Sequence, residues 1–145
     1  MRPKDIGTRG ESAARDWLRI NGWPTARRQP LAGARDEGDL MICDMPDRRI
    51  IGEVKSGKAA DKASLGQIRE WLEQTEQECI HAGADLGVLI VRRFGRPVGG
   101  WDAWMIAADW IVVLTAESVL STDAPWPLRS SLKDWSDIVT GWADS

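Results

Sequence analysis

Residues 38–55, GDLMICDMPDRRIIGEVK, constrain the fold more than any other stretch of the chain. Leu40, Met41, Ile42 and Cys43 form one apolar run, and Ile50, Ile51 and Val54 form another. Between them lie Asp44, Met45, Pro46 and Asp47, a segment with turn chemistry. The pattern predicts an antiparallel hairpin. With its turn near Pro46, residues whose numbers sum to about 92 face each other, which sets Asp39 opposite Glu53. Directly opposed side chains lie about 5 Å apart. Two carboxylates at that range repel unless a proton or a cation sits between them, and hard divalent cations take such oxygen ligands. Strand alternation puts Lys55 on the same face as Glu53. An exposed Glu–Lys pair would be the plainer account. Both faces of this hairpin are apolar, however, and strands buried on both faces rarely carry spare charges, so a metal-bearing site is favoured.

The rest of the chain is long enough to bury a core around this hairpin. Its 145 residues fit a single domain, with a body at about 5–115 and a helical tail at about 125–145. Cys43, Cys79 and His81 are the only cysteines and histidine, which excludes a Cys/His zinc cluster built within one chain. Cys43 on a strand and Cys79 on the apolar side of a helix read as small core residues; nothing near them resembles a nucleophile site. No apolar stretch has the length of a membrane span, and the N-terminal MRPKDIGTRGES lacks the apolar centre of a secretory signal, so a cytoplasmic protein is expected.

The net charge of −3 conceals an asymmetry. Residues 1–60 hold 12 Lys and Arg against 9 Asp and Glu, whereas residues 61–145 hold 7 against 13. The basic side chains therefore share the half of the chain that holds Glu11, Asp39 and Glu53, in keeping with a phosphate backbone as partner; ordinary solvated charge is the alternative.

Helical spacing of Ala13, Ala14, Trp17, Leu18 and Ile20 predicts an amphipathic helix from about Thr8, ended by Asn21 and Gly22. Glu11 falls on its inward face with Ala14 and Leu18, where a carboxylate needs a partner; a first-turn acid favoured by the helix dipole is the alternative. Trp23 to Leu31 reads as an edge strand interrupted by prolines, bringing Arg27 and Arg28 to the sheet, and Arg35 follows in a polar loop. After Lys55 comes a small-residue loop with Lys58, then a helix from about Leu65 to His81 with an apolar stripe of Leu65, Ile68, Leu72, Thr75 and Cys79. Gln67, Trp71 and Gln74 border that stripe, where the amides could serve DNA or the site lysine, or simply be solvated. Leu86 to Val91 predicts a strand buried on both faces, and Arg92, Arg93 and Arg96 form a second basic cluster at its end. Trp101 to Ala107 and Ile111 to Leu114 read as two further strands or strand ends. Leu132, Trp135, Ile138, Val139 and Trp142 predict a last helix capped by Ser130 or Ser131, docked on the body or on a partner chain. This order of elements is that of an α/β fold with helices covering a central mixed sheet.

Glu11 within GTRGESAARDWL, the arginines that follow, Asp39 in GDLMI, then IGEVK, a helix, LGVLIV and GGWDAWMI together resemble the PD-(D/E)XK nuclease superfamily. Within it, the order and spacing are similar to the archaeal-type Holliday junction resolvases and their phage and viral relatives, over about residues 5–107. The resemblance implies a restriction-endonuclease-like α/β/α core. It implies Mg²⁺, with Mn²⁺ as a substitute, held by Glu11, Asp39 and Glu53, and a water oriented or activated by Lys55. It also implies DNA contacts by Arg9, Arg27, Arg28, Arg35, Lys58 and Gln67, and a homodimer that nicks four-way junctions in DNA recombination and repair. Other nucleases of the same fold, or a junction-binding protein that does not cut, are the alternatives. Gly38 stands where the superfamily's name has Pro, and Trp71 stands where some relatives have Tyr.

Overall fold

A computed structural model describes residues 3–30 and 38–145. Arg35 lies outside the described residues. The chain forms a six-stranded mixed sheet flanked by helices, with strands lying side by side in the order in which they occur.

The first helix, α1 (Pro3–Ile20), turns Gly10, Ala14 and Leu18 onto the sheet. Ile20, expected on that face, is 83% exposed at the last turn. The edge strand β1 is shorter than expected, only Arg27–Arg28, because Pro24 and Pro30 bracket it with residues that cannot donate to a ladder. β2 (Leu40–Met45) and β3 (Arg48–Lys55) make the hairpin, joined by Pro46 and Asp47. Leu40 pairs with Gly52 and Met41 with Ile51, in the expected register. A bulge between Met41 and Cys43 then shifts the pairing toward the turn, so that Cys43 faces Ile50.

A short helix, α2 (Lys58–Asp61), and α3 (Leu65–Ala82) carry the chain to β4 (Leu86–Val91), which is buried throughout and runs parallel to β3. Ser64 caps α3 by accepting from Gln67 N, and Gly83 ends it in the left-handed conformation. Ile68, Leu72, Thr75 and Cys79 are buried as expected, whereas Leu65, at the first helical position, is 52% exposed. A 3-10 turn at Val98–Gly100 leads into β5 (Asp102–Ile106).

Ile111 to Leu114, expected as a strand, belongs instead to a helix, α4 (Ala107–Thr115). Its β-branched run favours a strand locally, but Trp110 and Val113 bury into the main core from a helix, and Trp110 Nε1 donates to Leu128 O at 3.0 Å. β6 (Pro127–Ser131) then pairs antiparallel with β5 and ends the sheet. The final helix, α5 (Leu132–Ala143), is capped by Ser131, which accepts from Asp134 N.

The sheet divides two cores. On one face Leu40, Ile42, Ile50, Val54, Leu86, Val88 and Ile90 pack with α1 and α5. On the other, Met41, Ile51, Leu89 and Val91 pack against α3. The tail therefore docks on the body: Trp135 is fully buried, its ring centroid 5.7 Å from that of Trp23, and Ser136 accepts from Trp23 Nε1 at 2.9 Å. Among the described residues no helix is long and apolar enough to cross a membrane.

Candidate active site

β3 supplies the centre of the site. Alternation along this strand sends Ile50 and Val54 toward α1, and Ile51 and Glu53 toward α3, with Lys55 next in the same row. Lys55 Nζ lies 3.7 Å from Glu53 Oε1 and 5.5 Å from the centroid of the Trp71 ring on α3. The ammonium is thus held between a carboxylate and an aromatic face while remaining partly open to solvent.

Asp39 enters from just before β2. Gly38 takes φ +93°, a conformation closed to proline, whose ring fixes φ near −65°. The backbone N of Asp39 donates to Gly52 O at 3.1 Å, and its Oδ2 accepts from Val54 N at 2.8 Å. These two bonds pin the Asp39 carboxyl beside Glu53. Burial, then the Glu53 charge, raise the Asp39 pKa to about 8, with Glu11 adding in the same sense and the Val54 N–H opposing. Glu53 is 5% exposed, and burial, followed by the neighbouring Glu78 carboxyl, raises it to about 9 while Lys55 pulls it back. Among the described residues no hydrogen-bond partner reaches Glu53 Oε2. Burial and the crowding of carboxyls thus make this cluster hold protons more tightly than free carboxyls do, and a cation would relieve it.

Glu11 approaches from α1 and accepts from Arg28 twice on Oε2, from Nε at 3.1 Å and Nη2 at 2.9 Å. Gly10, immediately before it, lets the helix close on β3, because a Cβ there would run into the Ser56 side chain. Glu78 is the site residue that sequence reasoning missed. It is 2% exposed on α3, three positions after Thr75 on the buried stripe, so the test that singles out Glu11 applies to it equally.

The remaining candidates spread around this centre. Arg27 is exposed and pairs with Asp44 at 3.1 Å. Arg9 and Lys58 are exposed, on α1 and at the start of α2. Gln67 Nε2 donates to Glu70 on the outer side of α3 at 3.3 Å. The structure therefore brings Asp39, Glu53 and Lys55 together, with Glu11 at their edge.

No family model matches this sequence, and neither the curated proteins nor the solved structures give a match.

Among the described residues no three His, Cys, Asp or Glu side chains stand ready-grouped for a metal ion. Asp39 and Glu53 nevertheless suit a hard divalent cation, since both are oxygen donors, burial disfavours the bare charge on each, and Glu53 Oε2 is buried without a donor. Arg28 occupies Oε2 of Glu11, and a cation that took this oxygen would displace it.

Proposed function

We propose that this protein is a Mg²⁺-dependent endodeoxyribonuclease that cuts four-way or other branched DNA as a homodimer. The observation that carries the reading is the convergence of the Asp39 and Glu53 carboxyls beside the Lys55 ammonium, at the end of a sheet whose interior is mainly apolar. The ordered resemblance to junction resolvases supports the choice of a DNA phosphodiester as substrate.

Asp39 and Glu53, with Glu11, would hold the cation. When bound, a divalent ion supplies positive charge at the nonbridging and leaving oxygens of the phosphodiester. The chain's own groups provide position. Lys55, anchored by Glu53 and Trp71, donates hydrogen bonds and can fix a water in line with the bond to be broken. The water oxygen then bonds to phosphorus as the bond from phosphorus to the leaving oxygen breaks, the water giving its proton to solvent and the leaving oxygen taking one from it. Arg27 and Arg28 sit on the edge strand beside Asp39, where their guanidinium groups suit backbone phosphates.

The test compares the wild type with Glu53→Ala and Lys55→Ala on labelled four-way junction, linear duplex and single strand, with and without Mg²⁺, on a denaturing gel. Paired symmetric nicks in the junction, lost in both variants while junction binding persists, are expected. Equal cutting of all three substrates would replace the junction resolvase with a general nuclease. Tight junction binding without any cutting would replace it with a binding protein.

A further inference from the structure

A second basic surface lies across α1 from the carboxylates. The segment RRFGRP leaves the end of β4, and Arg92 N donates to Lys55 O at 2.9 Å, so this loop starts beside the site lysine. Between the loop and α1 runs a cleft of about 520 Å³ lined by Arg9, Arg92, Arg93 and Arg96 with Trp101 at its wall. Arg93 is steadied by Asp61 and Asp102, each 3.8 Å away. Among the described residues Arg9, Arg92 and Arg96 have no ion pair. Several guanidinium groups converging on one cleft repel one another, and a polyanion relieves that repulsion.

The aromatic residue in this loop narrows the choice. Phe94 is 49% exposed at the loop's tip, with the Arg92 guanidinium 4.8 Å from its ring centroid. Arg92 also lies 5.8 Å from the Trp101 ring, so the cation links an open aromatic to the cleft wall. Charge along a groove with an exposed ring beside it is how proteins hold unpaired nucleotides, since phosphates follow the charge and a base stacks on the ring. A duplex offers its phosphates but keeps its bases stacked on one another. The cleft is also bounded on two sides, by α1 and the loop, which suits one strand better than two.

We infer that the cleft between α1 and the 92–101 segment binds an unpaired nucleic-acid strand, with phosphates among Arg9, Arg92 and Arg96 and a base on Phe94. The inference rests on the nuclease reading for the identity of the polyanion, and gives that enzyme a seat for the unpaired strand at a branch point.

The experiment measures binding in EDTA, so that cleavage plays no part. Fluorescence anisotropy follows a labelled single strand, an abasic strand of equal length and a duplex, against the wild type, Arg92→Ala/Arg96→Ala, Arg96→Glu, Phe94→Ala and the control Lys133→Ala. The double variant should bind the single strand roughly tenfold more weakly, with a salt slope shallower by about 1.4 for two lost phosphate contacts. Arg96→Glu leaves Arg92 on its two rings and should show the same loss, which guards against a folding defect in the double variant. Phe94→Ala should weaken the single strand at least several-fold and leave the abasic strand unchanged, as loss of one stacked base requires. Unchanged single-strand binding in the arginine variants would overturn the inference, as would an equal loss on duplex. Loss of cleavage in every assay with these binding results intact would remove the nuclease reading and leave the cleft. Normal cleavage with indifferent arginine variants would do the reverse.

Discussion

Arg28 donates two hydrogen bonds to a single carboxylate oxygen of Glu11, at 3.1 and 2.9 Å, and so bridges the edge strand to the first helix at the rim of the site. The pair is partly exposed, which limits its strength to about 0.2–1 kcal/mol. It also competes for the oxygen that a third metal ligand would offer. Arg28→Ala is therefore expected to tighten Mn²⁺ binding by up to about fivefold in calorimetric titration, while weakening DNA binding and flattening its salt dependence. Weaker Mn²⁺ binding in this variant would show that Arg28 orients Glu11 toward the cation instead of withholding it.

Lys55 and Trp71 offer a separate test of positioning. The ammonium sits 5.5 Å from the ring centroid, a contact worth about 0.5–1 kcal/mol at a partly open site. Trp71→Phe keeps a ring beneath the lysine and Trp71→Leu does not. Cleavage should change little in the first variant and fall about two- to fivefold in the second, with DNA affinity unchanged in both. Equal activity in the two variants would mean that Trp71 only fills the α3 core.

The same features show what the sequence can and cannot reveal. The Asp39–Glu53 approach was legible because strand alternation and a turn near Pro46 determine register, and Leu40 does pair with Gly52. β4 was legible because a continuous run such as LGVLIV has few alternatives. α4 was not, since Ile111, Val112 and Val113 favour a strand by local preference and only the burial of Trp110 and Val113 makes them helical. β6 has no apolar alternation, and PLRSS becomes a strand through its ladder to β5. Glu78 was overlooked although its place on a buried helical stripe marked it. Its role emerges only when α3 is laid over β3.

Trp135 tests whether the tail belongs to the folding unit. It is fully buried against Trp23, and its Nε1 donates to Met105 Sδ at 3.4 Å. Trp135→Ala should destabilise the protein by about 3–5 kcal/mol in urea unfolding, as large aromatic truncations in a packed core do. A loss below about 1 kcal/mol would mean that the core collapses around the gap far more readily than packed interiors do.

Away from the candidate site, Glu76 on α3 and Asp109 on α4 form a second, half-buried carboxyl pair. Burial, then Glu76, raise the Asp109 pKa to about 8, and burial raises Glu76 as well. In the unfolded chain Asp109 ionises near 3.8. Between these values the folded state holds a proton that the unfolded state has released, so stability falls as pH rises from about 4 to 8. Asp39 and Glu53 act in the same direction, so the contribution of the pair must be isolated by difference. Asp109→Asn keeps the shape and a hydrogen-bonding group but cannot ionise. In EDTA, the melting temperature of the wild type should drop between pH 5 and pH 8, and that of Asp109→Asn should drop less. Parallel curves for the two proteins would show that Asp109 is already ionised in the fold, with its charge met by solvent.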